Sequence, residues 1–445
     1  MRAIPVLLAV LLVCAAVGGG AAPVVGGGAT SAGDGDRAVS APADSDTSAA
    51  AGSVTATNHT NASGHLRVLS LNDSARSVSD IDVVTVDAGT SVDLATNASA
   101  ARIETIALRN RIERANTSDE RQIRILDGLN EVDKDVVTLH ARQRDAIAAY
   151  ESGELTAREL LIELSRIRAS AAVLEERIAV LRELADESDD VSIDDNRVFP
   201  LLYDLRTFDG PVRERTGDAL AGERDASTRV YVAATEDGIV LSTVTDGEYV
   251  REAFRGDLRE RGEGINEEVA QNVTARSYPE IYAATGGNVA GQGSGGTFLF
   301  DLRYANGSLT AFVGGGTERV FMEHQRIDLA GVDTDESVSR NLDIALTVNR
   351  TFPGGPLRVE ATDPATGEPV NAVVKIGREG GESTDVGTTG DDGVLWTVGP
   401  DGQFVVTVVE VGSTEVSTVS VTPTAPHTVA DALASSDGST PDDEE

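Results

Sequence analysis

Residues 156–181, TARELLIELSRIRASAAVLEERIAVL, decide how the first half of the chain folds. Leu160, Leu164, Ile167, Ala171, Leu174, Ile178 and Leu181 alternate steps of four and three, so they fall in one stripe along a helix. That alternation is the spacing of a coiled coil. Thr156 followed by Glu159 supplies a capping box for the helix start. Upstream, Ile125, Leu129, Val132, Val136, Leu139, Gln143, Ala146 and Tyr150 repeat the alternation, with Gln143 the only polar member. Glu151-Ser-Gly-Glu-Leu155 separates the two stripes, and stripes of matching length on either side of a short Gly-containing turn fold back on each other. The reading is an antiparallel helical hairpin, on the order of 40 Å long. No proline interrupts the chain between Pro42 and Pro200. A further helix from about Ser91 to Ala115 carries Leu94, Ile103, Ile106, Leu108 and Ile112 and would complete a three-helix bundle over residues 91–190. Such a bundle serves either as a partner-binding or self-associating arm or as a self-contained spacer.

After Asp186-Glu-Ser-Asp-Asp190 the periodicity changes. Arg229–Ala234 and Ile239–Val244 read as strands across Glu236-Asp237-Gly238. Glu248–Val273 reads as a helix with Phe254, Leu258, Ile265 and Val269 inward. Ile281–Ala284, Thr297–Tyr304, Ser308–Val313 and Arg319–Ile327 read as further strands, with Asn306-Gly307 a tight turn. Together these predict a small α+β domain over 197–332. Residues 338–423 contain short apolar runs separated by Gly, Pro and Asp clusters, the pattern of an all-β sandwich. Within them TGEPVNAVVKI (366–376), TGDDGVLW (389–396) and GQFVVTV (402–408) resemble the carboxypeptidase-regulatory-like and collagen-adhesin B-type repeats. The resemblance implies a transthyretin-like sandwich and little about activity. Some adhesin repeats carry a Lys to Asn crosslink. Lys375 would be the amine, but no Asn follows Asn371, so the crosslink is not carried over. The expected fold class is therefore multidomain α and β: helical hairpin or three-helix bundle, small α+β domain, β-sandwich.

Residues 1–25 read as a signal peptide, with Arg2, an apolar core from Ile4 to Val17 and small residues after it. The leader is either cleaved near Ala21 to Ala29 or kept as an anchor. Cys14, the only cysteine, fits a buried place in the leader better than a lipobox, because Val13 stands where a small residue is needed. Without the leader no disulfide can form, so apolar packing must hold the fold. Residues 26–64 have almost no large apolar side chain and read as a disordered linker, 65–90 as an extended lead-in or strand pair, and 424–445 as a disordered acidic tail. Eight Asn-x-Ser/Thr sequons, at Asn58, Asn61, Asn72, Asn97, Asn116, Asn272, Asn306 and Asn349, are glycosylation candidates and point outside the cell. The net charge is -36, and Lys134 and Lys375 are the only lysines. This composition resembles that of exported proteins of halophilic archaea, where concentrated salt screens the acidic surface. Nucleic acid is excluded as a partner, since no basic stripe meets a phosphate backbone.

The chemical motifs are sparse. Gly291, Gly293 and Gly296 match a dinucleotide-binding spacing, but a strand follows where a helix N-terminus is required. Ser294 sits in a Gly-rich run that lacks the glycine two residues before a hydrolase nucleophile. His59, His65, His140, His324 and His427 are isolated, and no paired His or Cys suggests zinc. Asp391-Asp392 and Asp333 with Asp335 lack the spacing of a calcium loop. No catalytic set, cofactor or metal site is assigned. The expectation is a secreted or cell-surface glycoprotein with a structural or partner-binding role, meeting a protein partner or itself through the hairpin. Membrane contact would come only through a retained leader. The alternative is an extracellular hydrolase, or an accessory subunit of one, centred on the α+β domain with Ser294 and His324.

Overall fold

A computed structural model describes residues 67–437, except 73–75, 189, 225–227, 261, 263–264, 333, 341–342 and 379. The leader, the 26–64 linker, His59, His65, Asn58 and Asn61 lie outside the described residues.

Three long helices open the fold: α1 (Ala88–Glu113), α2 (Ser118–Glu151) and α3 (Ala157–Asp186). Asp87, Thr117 and Thr156 cap them through side-chain oxygens, and Thr156 and Glu159 form a reciprocal capping box. Ile125, Leu129, Val132, Val136 and Leu139 of α2 share one core with Ile167, Ala171, Leu174, Ile178 and Leu181 of α3. Each such buried Leu or Ile contributes about 1.5–3 kcal/mol. Ion pairs flank α1 on α3: Asp93 with Arg166, Glu104 with Arg177, and Arg109 with Glu183. The shorter helices α4 (Asp195–Arg206) and α5 (Pro211–Ala221) follow.

The bundle is not a self-contained spacer. Ala146, Ile147 and Tyr150 of α2 and Leu160, Leu161 and Leu164 of α3 pack with Val230, Val232, Leu241, Val250 and Phe254 of a β-sheet in a single core. That sheet has eight antiparallel strands, β1 (Ser77–Val84), β2 (Thr228–Thr235), β3 (Gly238–Thr245), β4 (Glu248–Arg255), β5 (Val289–Ser294), β6 (Thr297–Tyr304), β7 (Gly307–Gly314) and β8 (Arg319–Asp328). Their order is β1-β2-β3-β4-β8-β7-β6-β5. Because β1 pairs with β2, residues 77–84 belong to the sheet and not to an extended lead-in.

Helices α2, α3 and α5 cover one face. The other packs α6 (Glu267–Ser277), α7 (Pro279–Ala284) and residues 68–69. Two expectations fail here. Glu248–Arg255 is strand β4, followed by a short 3-10 turn at Gly256–Leu258, and the α-helix begins only at Glu267. Ile281–Ala284 is the end of helix α7, which Pro279 opens at a position where its missing N–H costs nothing.

The C-terminal module has two four-stranded sheets. The first holds β9 (Asp335–Arg340), β10 (Ala345–Arg350), β11 (Pro356–Thr362) and β14 (Val394–Val398); the second holds β12 (Ala372–Gly377), β13 (Ser383–Thr388), β15 (Phe404–Glu410) and β16 (Val416–Val421). Leu346, Val348, Val359, Val374, Val406 and Val408 fill the space between. The module is docked on the large sheet. Gly354 O accepts from Tyr249 OH at 2.9 Å and from Ser242 Oγ, and Phe352 and Val398 join the core of that sheet. Of the expected disordered tail, residues 424–437 are described and are corrected: α8 (Val429–Asp437) inserts Val429 into the same core, and Thr428 bridges Val68; residues 438–445 lie outside the described residues.

Candidate functional site

Strand β4 places Arg251 and Glu252 in succession, so they enter opposite faces of a sheet that is covered on both sides. Each finds its counter-charge from another element. On the α6 face Glu323 pairs with Arg251, accepts from Tyr278 OH and accepts from Leu69 N at 2.9 Å. Arg251 returns a bond to Leu69 O at 2.9 Å, and Gln325 donates to Arg67 O at 2.8 Å. The N-terminal strap at 67–69 is therefore held by polar groups inside the sheet core. Burial pushes the Tyr278 hydroxyl well up and draws the Arg251 guanidinium down.

On the α5 face Glu252 accepts from Arg213 Nε at 2.7 Å and from Val212 N at 3.2 Å, while Arg213 reaches Gln143 Oε1 at 2.8 Å. This explains Gln143, the polar member of the α2 stripe. Burial raises the Glu252 carboxyl, against the pull of Arg213. Gly210 makes the approach possible, since a Cβ there would stand 1.9 Å from Glu252 Oε2. Arg259 links Asp204 at 2.8 Å to His140 Nδ1 at 2.9 Å.

His324 is half-buried on this face, its ring edge-on to Phe312, and the loss of solvent around it pushes it down to about 3. It is neutral in the fold, whereas the unfolded chain takes up a proton below about 6.5. Stability is thus complete above pH 6.5 and falls as the pH drops toward 3, by about 1.4 kcal/mol per unit. His324→Gln should flatten that acid limb in pH-dependent unfolding curves; parallel profiles for the two proteins would remove His324 as the titrating group.

The hydrolase candidates do not meet. The register Ala290–Asp301–Thr310–His324 puts His324 three strands from β5, roughly 14 Å across the sheet, and level with a residue four before Ser294. Gly291 and Gly293 lie on β5 because the rings of Phe300 and Phe298 cover them; a Cβ would come within 2.6 and 2.3 Å. Trp396 lines a cleft between the large sheet and the C-terminal module, with Asn349 and Arg358. Among the described residues no group of His, Cys, Asp and Glu is placed to hold a metal ion.

The outer surface of α1 is different in kind. The apolar residues read on this helix split: Leu108 and Ile112 are buried, whereas Ile103 and Ile106 are 66% and 59% exposed and Val92 is 65% exposed. A cavity of about 230 Å³ lies between α1 and the hairpin, where Asn97, Glu104, Asp135, Arg142, Arg166 and Arg177 converge. Its guanidinium groups are already neutralised, Arg142 by Glu163, Arg166 by Asp93 and Arg177 by Glu104 and Asp135. Of the sequon asparagines, Asn97, Asn116, Asn272 and Asn306 are exposed, and Asn72 and Asn349 are half-buried.

Fold and surface define a multidomain α and β protein that ends in a β-sandwich. Residues 1–225 match a domain of unknown function, DUF7096, which spans more than half of the chain, and the protein belongs to that family. Residues 230–333 match a family of unknown function, DUF7094, and residues 334–418 an archaeal fibronectin-III type-like domain. No curated protein and no solved structure matches the chain. The first two matched regions share one sheet, because β1 from the first pairs with β2 from the second.

Proposed function

We propose that the protein is an exported, glycosylated scaffold of the cell surface that makes contacts through its helical bundle. The observation that carries this reading is the exposure of Val92, Ile103 and Ile106 on the outer side of α1, in a chain of net charge -36. Large apolar side chains exposed along one face mark an interaction surface. The signal-like leader and the sequons support export, and the fibronectin-III type-like module supports a role in spacing or docking. The helical hairpin gives reach, and the acidic surface suits concentrated salt. Catalysis is not part of the reading, since Ser294 and His324 stand apart. Protease added outside intact cells, in their growth salt, should degrade the protein; complete protection until lysis would overturn the proposal.

Glycan occupancy should follow the exposure of the whole sequon. Thr274 and Thr351 are buried, their hydroxyls donating to Ala270 O and Pro356 O, whereas Ser99 and Ser118 are exposed. Glycopeptide mapping of the native protein should find Asn97 and Asn116 occupied, and Asn272 and Asn349 bare. Full occupancy at Asn272 would show instead that sugar is attached before the domain folds.

A further inference from the structure

Trp396, Arg358 and Asn349 stand directly opposite one another on β14, β11 and β10. Leu357, Val359 and Val348, their neighbours along the strands, point into the core of the sandwich, so the three share the outer face of the sheet. At a strand spacing of about 4.8 Å the row spans roughly 10 Å. The chain leaving β8 lies across from it and closes a cleft of about 510 Å³, with Leu329 and Val332 as its apolar wall. Trp396 packs on the core of the large sheet and also lines this cleft. Hydrogen-bonding capacity here is unspent. None of the described residues accepts from the Trp396 indole N–H or from the Asn349 amide, and both groups reach open space. Arg358 donates through Nη1, to Asn349 Oδ1 at 3.3 Å and Glu360 Oε2 at 2.8 Å, and keeps Nη2. Asp328 accepts from Ala330 N at 2.9 Å through Oδ1 and keeps Oδ2.

We propose that this cleft binds a neutral saccharide of about disaccharide length. A sugar ring has a C–H face that packs on an indole and a rim of hydroxyls that both donate and accept, and the cleft sets both demands: an aromatic ring with an aliphatic wall, and donors beside a carboxylate acceptor. A purely apolar ligand would leave these donors and the acceptor unpaired. An anion finds no spare cation, because Glu360 already offsets Arg358 and Asp328 adds a negative charge. The volume is that of a small-ligand cleft, and such clefts form preferentially where two modules meet. Asn349 must itself be bare of glycan, since a sugar on its amide would fill the same space. The inference goes beyond the scaffold reading and holds whether or not the chain is exported.

Trp396 is the only tryptophan of the chain, so its fluorescence reports on this cleft alone. The probes are cellobiose, lactose and chitobiose, added to the purified full chain in molar salt up to about 50 mM, enough to saturate a millimolar site. At least one should shift the emission saturably, whereas glycerol at the same concentration should not. Asn349→Ala removes one donor from the cleft and should weaken that binding roughly five- to tenfold. Trp396→Leu should abolish it, read by saturation-transfer NMR on the sugar protons; because this variant also loses packing on the large sheet, Asn349→Ala carries the decision. Four results overturn the site: no saturable shift with any of the three sugars, a response to glucuronate alone, unchanged affinity in Asn349→Ala, or a glycan found on Asn349. None of them bears on whether the chain is exported.

Discussion

Glu323→Gln is expected to cost about 3–5 kcal/mol of folding stability, the usual penalty for breaking a buried ion pair by removing one partner. The substitution leaves Arg251 as an uncompensated charge beneath α6, and sets an amide where a carboxylate accepts from Arg251, Tyr278 and Leu69 N. Urea unfolding in molar salt measures the effect as a lowered midpoint. Replacing both partners, Arg251→Met with Glu323→Leu, should recover much of the loss, because the desolvation cost disappears with the charges. A Glu323→Gln protein as stable as its parent would show that the pair is not a keystone of the sheet. Protease sensitivity near residues 67–72 should rise together with the loss, since Leu69 is held at both its N–H and its C=O by this pair.

The second large effect concerns the junction of sheet and sandwich. Gly354 has φ +74 and its Cβ, if present, would stand 2.6 Å from the ring of Tyr231. Gly354→Ala therefore meets the left-handed backbone penalty, about 1–2 kcal/mol, and a clash of roughly 1–3 kcal/mol in a packed core. The carbonyl of the same residue accepts from Tyr249 OH and Ser242 Oγ, so any shift also unseats these bonds. Burial pushes the Tyr249 hydroxyl up to about 12, which keeps it a donor throughout the ordinary pH range. The expected result is a thermal transition that separates into two, the sandwich melting apart from the sheet. A single, unshifted transition would mean that the contact at Gly354 is dispensable.

The helices were legible because their stripes are long, regular and almost free of polar interruption. Gln143, the one exception, makes sense only beside Arg213, which lies 70 residues away in sequence. Strand β4 was not legible for the same kind of reason. In Glu248-Tyr-Val-Arg-Glu-Ala-Phe-Arg255 the charges of Arg251 and Glu252 fall at core positions, so no alternation of apolar and polar residues remains to read. Their partners Glu323 and Arg213 come from β8 and α5, and neither pairing has a local signal. Strand β1 was obscured by separation: its partner β2 lies beyond three long helices. The candidate surface was half visible. Ile103 and Ile106 were marked as apolar residues of a helix, but the face they occupy follows only from the packing of α1 on α3.

The proposed role stands on export, and the intact mass of the protein recovered from the envelope or medium of the cells that make it tests this most directly. The account expects a polypeptide modified by sugar at exposed sequons and absent from the cytosol. An unmodified chain that begins at Met1 and is confined to the cytosol would contradict it.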